Sequence, residues 1–190
     1  MLYLLFQIGN DRYALEARHV VEVVPFLELK RIPHAPRGVA GMFNFRGQPV
    51  PAVDLSELTF GRPARELFST RIIVVNLPPP TRPASPVQSP AAALRDSGLG
   101  TPPSGQPACL GLIAEHATGM MRREARDFVA SGVKISNAPY LGPVVMDDQG
   151  VIQLLHTEHL LSETLRDLLF SETVPADAAA PRRYAADDPA

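Results

Sequence analysis

Cysteine is almost missing from this chain of 190 residues, in which Cys109 stands alone. A single cysteine cannot form a disulfide within the chain, so the sequence favours a reducing compartment, and we expect a cytoplasmic protein. Neither sign of charge prevails, since 18 Lys and Arg face 20 Asp and Glu for a net charge of −2. Without a strong basic excess, the chain is not expected to bind nucleic acid through a basic face.

Long apolar runs are also missing, although 45% of the residues are hydrophobic. No run approaches the roughly 18–20 residues that span a bilayer, so direct membrane insertion is not expected. Seven of the first eight residues are apolar, but this stretch lacks a basic segment and Asp11 and Arg12 soon follow. This pattern predicts a strand instead of a signal peptide.

The motifs of common catalytic centres are a third absence. The sequence contains no glycine-rich phosphate loop, no nucleophile elbow and no zinc motif. His156 and His159 are three residues apart, but two histidines without a third ligand seldom hold a metal. We therefore expect no cofactor, no metal and no enzymatic activity.

Proline, in contrast, is abundant and concentrated. Of 20 prolines in the chain, nine lie in residues 78–107, among Ser, Thr, Gly and Ala. Such a segment cannot bury enough apolar surface to offset its ordering entropy, which predicts a disordered insertion. Residues 171–190 have a similar composition and are predicted to form a disordered tail.

Short β-strands dominate the rest of the chain. Leu2–Ile8 and Arg12–Glu16 flank a Gly9-Asn10-Asp11 turn signal and predict a hairpin. Arg71–Leu77 and Cys109–Ala114 predict a second hairpin, with the proline-rich insertion as its loop. The pattern predicts a mainly β fold.

Two small barrels fit this run of strands better than one large sandwich, because a polar, turn-rich link lies near residues 58–68. Within a single domain of residues 1–170, we expect one barrel over roughly 10–66. We expect a second over roughly 67–156, with or without the N-terminal strand. A leucine-rich helix is predicted over 157–170, with Thr157 as its N-cap.

The stretch from Gly38 to Leu55 is the most informative, because Arg46 stands in it between Phe45 and Gly47 with apolar residues on both sides. A charged side chain beside a glycine turn must point at water or at a partner. On the residues alone, an ordinary solvated arginine is the better interpretation, since most surface charges are energetically neutral.

Several segments together resemble the CheW-like family, the adaptor proteins of bacterial chemosensory arrays. The central match is Val39–Gly47, which reads Val-Ala-Gly-Met-Phe-Asn-Phe-Arg-Gly. The remaining matched segments are Tyr3–Gly9, Tyr13–Leu15, Val20–Val23, Ile32–Pro36, Pro51–Leu55 and Cys109–Ile113 with Glu115.

The resemblance implies two five-stranded, SH3-like β-barrels side by side, with no catalytic centre. It also implies a scaffold, recruited to receptor arrays, that links methyl-accepting chemoreceptors to a CheA-like histidine kinase. Members of this family bind the regulatory domain of the kinase edge to edge. They hold the helical hairpin tip of the receptor in a groove near the barrel junction.

The same resemblance assigns partner-binding positions. It pairs the basic Arg46 with the acidic Glu22, a plausible ion pair, and gives Asn44 and Gly47 the shaping of the turn. The complete predicted set is Arg46, Glu22, Val20, Gly41, Asn44 and Gly47. A small ligand-binding β-barrel or enzyme that shares only local features stays open as the alternative.

Overall fold

The computed structural model describes residues 1–77, 108–132 and 138–170. The predicted disordered insertion (78–107) and tail (171–190) lie outside the described residues. Strands dominate, with two short α-helices, α1 (Leu55–Phe60) and α2 (Glu163–Phe170). The strands are β1 (Leu2–Ile8), β2 (Asp11–Glu16), β3 (Val20–Pro25), β4 (Val39–Phe45), β5 (Gln48–Asp54), β6 (Arg71–Leu77), β7 (Ala108–Arg122), β8 (Leu141–Asp147) and β9 (Gly150–Leu155).

The long strand β7 takes part in two five-stranded groups. Its first half pairs antiparallel with β6 and parallel with β5, and β3 and β4 complete that group. Its second half pairs antiparallel with β1, and β2, β9 and β8 follow in order. The change of partner occurs between Ala114, which pairs with Arg71, and Glu115, which pairs with Gln7. The next residue, His116, has a left-handed backbone with φ 49.

In each group, a bridge of two backbone hydrogen bonds joins the two edges. In the first, the segment after β3 reaches β4, where Lys30 and Met42 exchange backbone hydrogen bonds of 2.8 Å. In the second, the segment after β7 reaches β8 through Val129 and Val144, again at 2.8 Å. The strands therefore form two small barrels, although the ladders of the described residues do not run all the way round either one.

The predicted division of the chain between the barrels is wrong. Strand β6, expected in the second barrel, pairs with β3 in the first. Strand β2, expected in the first, pairs with β1 and β9 in the second. The reason is that both predicted hairpins form. Pairing with β1 places β2 in the second barrel, and pairing with the first half of β7 places β6 in the first.

The largest hydrophobic cluster lies between the two barrels. It combines Leu4 and Leu15 of the second barrel with Ile73 and Leu112 of the first, all 5% exposed or less. Smaller clusters fill each barrel, around Phe43 in the first and around Ile152 in the second. Burial of apolar surface at this seam holds the barrels together as one domain.

The C-terminal helix is shorter than predicted. A 3-10 turn covers Thr157–His159, and α2 begins at Glu163, where the Ser162 hydroxyl accepts a 3.2 Å hydrogen bond from the Leu165 N–H. Thr157 is buried and bonds to the ring of His19 at 3.1 Å, so its hydroxyl is not available as a helix cap. Of the helices in the described part of the chain, none is long and apolar enough to cross a membrane.

Candidate functional site

A two-residue turn joins β4 to β5 and presents Arg46 at its tip. Arg46 and Gly47 both have positive φ, at 53 and 84, as a type I′ hairpin turn requires. Glycine adopts this conformation freely, whereas an arginine there is strained. The Asn44 carboxamide oxygen accepts a 2.8 Å hydrogen bond from the Gly47 N–H and fixes the turn.

The Arg46 side chain is held from two sides. Its Nη2 donates a 2.6 Å hydrogen bond to Oε2 of Glu22 on β3, which is the predicted ion pair. Its guanidinium also lies 5.0 Å from the ring centroid of Phe45, a cation–π contact. Because the Arg46 side chain is still 69% exposed, the pair contributes only about 0–1 kcal/mol to folding. Its effect is to orient the guanidinium.

Glu22 lies on an edge strand with an irregular register. Strand β3 pairs with β6, and a bulge falls between Val20 and Glu22, leaving Val21 outside the ladder and 36% exposed. Val20 is half-buried and packs against the seam cluster. A bulge at a sheet edge re-aims the side chains beside it. This irregularity places two partly exposed valines next to the Glu22–Arg46 pair along the chain.

Gly41 is a glycine for a structural reason. It is buried on β4 with φ 150, and a Cβ there would lie 2.6 Å from the Lys30 carbonyl oxygen. That contact belongs to the Lys30–Met42 bridge between the edges of the first barrel. The bridge explains Gly41 without any partner, and the contact role given to it from the sequence stays a prediction.

The structure thus brings four of the six predicted residues to one hairpin tip: Glu22, Asn44, Arg46 and Gly47. Val20 and Gly41 lie further along strands β3 and β4. The tip offers hydrogen-bond donors and a ring but no nucleophile or proton relay. Across residues 1–77, 108–132 and 138–170, no group of three or more His, Cys, Asp or Glu is placed to hold a metal ion.

Sequence reasoning missed two buried carboxylates that order the segment between α1 and β6. Asp54 caps α1, with Oδ1 accepting from the N–H groups of Ser56 and Glu57 at 2.9 and 3.1 Å. Its Oδ2 accepts from the Ala64 N–H at 2.8 Å. An aspartate before a short apolar helix is an N-cap signal, so this role could have been found from the sequence.

Glu115 holds the next residue of that segment. It is 1% exposed and accepts the Arg65 backbone N–H at 2.8 Å and the Arg65 guanidinium at 2.7 Å. Burial alone would raise the pKa of Glu115, but the hydrogen bonds from Arg65 together outweigh it and leave the pKa below its usual range. Because the partners are 50 residues apart in the sequence, no local pattern predicts this pair.

A second bidentate pair closes the end of the second barrel. Arg12 on β2 donates to both carboxylate oxygens of Asp147 on β8, at 2.6 and 2.8 Å. The hydrogen bonds from Arg12 lower the pKa of Asp147 to about 2, and the Gln149 N–H adds to the effect. This pair joins two strands that are not neighbours in the sheet.

The chain is thus a β-barrel domain in which two barrels share strand β7 and an oriented arginine lies at an exposed hairpin tip. The CheW-like domain family model matches residues 2–165, and the chain belongs to this family.

Relatives and a solved structure agree with that assignment. The chain is 37% identical over 71 residues to the chemotaxis protein CheW of Helicobacter pylori, covering 37% of this chain and 42% of that protein. It is 36% identical over 50 residues to the chemotaxis protein CheW of Treponema pallidum, covering 26% and 29% of the two chains. These matches span less than half of each curated relative.

The crystal structure of the scaffolding protein TtCheW from Thermoanaerobacter tengcongensis superposes with a TM-score of 0.64 at 18% identity, over 85% of this chain and 87% of that one. This likeness confirms the predicted fold of two SH3-like barrels.

Proposed function

We propose that this chain is a non-enzymatic adaptor that couples methyl-accepting chemoreceptors to a CheA-like histidine kinase in a bacterial chemosensory complex. Membership of the CheW-like family supports this function. The observation that carries it here is the Glu22–Arg46 pair, an arginine oriented at an exposed tip where folding gains little from it. An oriented guanidinium suits recognition of carboxylates or carbonyl groups on a partner.

The kinase contact is proposed to use the open edges of the barrels. Among the described strands, β3 pairs only with β6, and β8 pairs only with β9 apart from the Val129 bridge. Open edges offer unpaired backbone groups, and the regulatory domain of the kinase is proposed to add to them edge to edge.

The receptor contact is proposed to use the surface around Val20, Glu22 and Arg46. A helical hairpin tip presents apolar anchors at helical spacing together with polar groups. Val20 and Val21 supply partly exposed apolar surface, and the Glu22–Arg46 pair supplies charge beside it. Each such contact is small, with an affinity on the order of micromolar, and recruitment to an array gains from many contacts at once.

Signal transfer in this proposal is a change of population and involves no chemistry in this chain. A receptor state that binds the adaptor better shifts the attached kinase toward one of its states by that difference in affinity.

Binding to each partner alone tests the proposal. The full chain is immobilised and titrated with a kinase regulatory fragment and, separately, with a receptor hairpin tip, both from the same bacterium. Saturable binding of each fragment supports the adaptor. If the chain binds neither fragment, the proposal is contradicted and the alternative, a small ligand-binding barrel or enzyme, is favoured.

A further inference from the structure

A polar pocket lies at the seam between the two barrels, away from the Arg46 tip. Its volume is about 210 Å³. One wall is the β1–β2 turn of the second barrel, and the other is the segment that follows α1. The lining residues are Gly9, Asn10, Ser56, Arg62, Pro63, Arg65 and Glu115.

Two guanidinium groups meet beside Gly9 in this pocket. Arg65 Nη2 donates to the Gly9 carbonyl oxygen at 3.3 Å. Arg62 also lies beside this residue, because a Cβ on Gly9 would be 3.4 Å from Arg62 Nη2. Two positive charges beside the same residue repel each other unless negative charge compensates them.

Glu115 compensates one of the two. Its carboxylate accepts from Nε and Nη2 of Arg65 and from the Arg65 N–H, which occupies both of its oxygens. Arg62 has no acidic partner within the described residues, and its guanidinium carbon lies 6.0 Å from the ring centroid of Phe60. Among the residues that line the pocket, positive charge therefore exceeds negative charge by one.

Donors that point toward a ligand are also available. Arg65 Nη1 has no acceptor among the described residues, so the outer corner of its guanidinium is unused. Asn10 adds a carboxamide, and Ser56, which is only 3% exposed, adds a hydroxyl. Charged forks combined with neutral donors are the chemistry that recognises carboxylates and phosphates.

We infer that this seam pocket binds a small oxyanion, a carboxylate or phosphate group, with Arg62 as its main charged contact and Arg65, Asn10 and Ser56 as further donors. A bound anion would link the β1–β2 turn of the second barrel to the α1–β6 segment, which is anchored on the first barrel. The site is separate from the proposed receptor and kinase surfaces, so its failure would leave the adaptor proposal untouched.

Solution NMR of the full chain tests the site. The backbone amide signals of Gly9, Asn10 and Arg65 are followed while sodium phosphate or sodium acetate replaces sodium chloride at constant ionic strength, which removes screening as a cause. We expect saturable shifts with a Kd on the order of 1 mM for at least one anion. The tighter of the two identifies the ligand as phosphate-like or carboxylate-like.

Matched variants decide whether the pocket is responsible. Arg62→Gln is expected to weaken the anion at least about tenfold, because it removes a charged hydrogen bond from an exposed residue that folding does not need. Arg126→Gln removes another exposed arginine, which pairs with Glu124 at 2.9 Å, and should leave the affinity unchanged. Absence of saturable shifts with both anions, or equal losses in the two variants, would overturn the inference.

Discussion

Arg46 donates a 2.6 Å hydrogen bond to Glu22 from a left-handed backbone position with φ 53. Most residues with a Cβ cost about 1–2 kcal/mol in this region; glycine has no Cβ and avoids the cost, and asparagine offsets part of it through local hydrogen bonds of its short side chain. The ion pair and the contact with Phe45 return about the same amount. The turn alone therefore gives no reason for an arginine, and this agrees with the partner contact proposed for Arg46.

Replacement of Arg46 by Asn separates these two roles. Asn-Gly is a favoured pair for this turn type, so Arg46→Asn should leave the free energy of unfolding within about 1 kcal/mol of the wild type. Affinity for at least one partner fragment should fall about tenfold or more. Denaturant unfolding and titration calorimetry measure the two effects.

Arg126→Asn is the matched control for that change. Arg126 is also an exposed arginine paired with a glutamate, at 2.9 Å, but it lies beyond β7. Its replacement should alter neither binding nor stability. Unchanged affinity of Arg46→Asn for both partners would remove Arg46 from the contact site.

Gly41→Ala should weaken the first barrel. A Cβ at this position meets the Lys30 carbonyl oxygen at 2.6 Å and has to adopt φ 150, so we expect a loss of about 3 kcal/mol or more. Gly47→Ala is the control, because its φ of 84 is also positive but no atom lies within 4 Å of its Cβ. It should cost only about 1–2 kcal/mol in denaturant unfolding. Equal losses would show that the Lys30 contact is not tight.

Arg65→Ala should reverse the direction in which pH affects stability. In the wild type the pKa of Glu115 lies below its ordinary value of 4.5, so its contribution is present above that value and is lost as pH falls. Without the Arg65 guanidinium, burial, which is the largest single effect, is opposed only by the remaining backbone N–H of residue 65 and by His116, so we expect the pKa of Glu115 to rise above 4.5. The folded state then favours the protonated acid, and the variant gains stability as pH falls through the raised pKa toward 4.5.

Melting temperatures between pH 4 and pH 8 measure this reversal, and the double variant Arg65→Ala with Glu115→Gln is its control. An amide cannot titrate, so the double variant should lose the reversed slope. It should also recover part of the stability that the single variant has lost relative to the wild type. If the stability of the single variant still decreases as pH is lowered, as in the wild type, the assigned role of Arg65 is contradicted.

Asp147→Asn should remove stability near neutral pH and flatten the acid limb. The hydrogen bonds from Arg12 lower the pKa of Asp147 from 3.8 to about 2, so its contribution is present above pH 3.8 and is lost as pH falls toward 2. Asp148→Asn is the control, because Asp148 makes no contact with Arg12. Acid titration of the far-ultraviolet circular dichroism compares the three proteins. Identical acid limbs in all of them would rule out this role.

Local patterns predicted the hairpins and the turn at Arg46 because both depend on residues close in the chain. Apolar alternation around Gly9-Asn10 suffices for β1–β2, and glycine after Arg46 suffices for the β4–β5 turn. The ion pair of Glu22 with Arg46 was expected only through family resemblance, since 24 residues separate the partners. Pairings at that distance depend on register, which no local pattern specifies.

The division between barrels was mispredicted for a related reason. Nothing in the apolar run of β7 shows that it continues through His116 and serves both barrels. The pairing of Arg65 with Glu115 depends on the same strand. Glu115 lies on β7 at the point where the strand changes partners. The buried polar contacts of the seam therefore follow from the three-dimensional arrangement of the strands.

Co-sedimentation of three components shows whether this chain couples receptors to the kinase. Receptor fragments assembled on vesicles are mixed with the kinase, and kinase in the pellet is measured with and without this chain. The adaptor account predicts that the wild-type chain brings kinase into the pellet in a saturable manner and that Arg46→Asn brings markedly less. Equal amounts of pelleted kinase with and without the wild-type chain would contradict it.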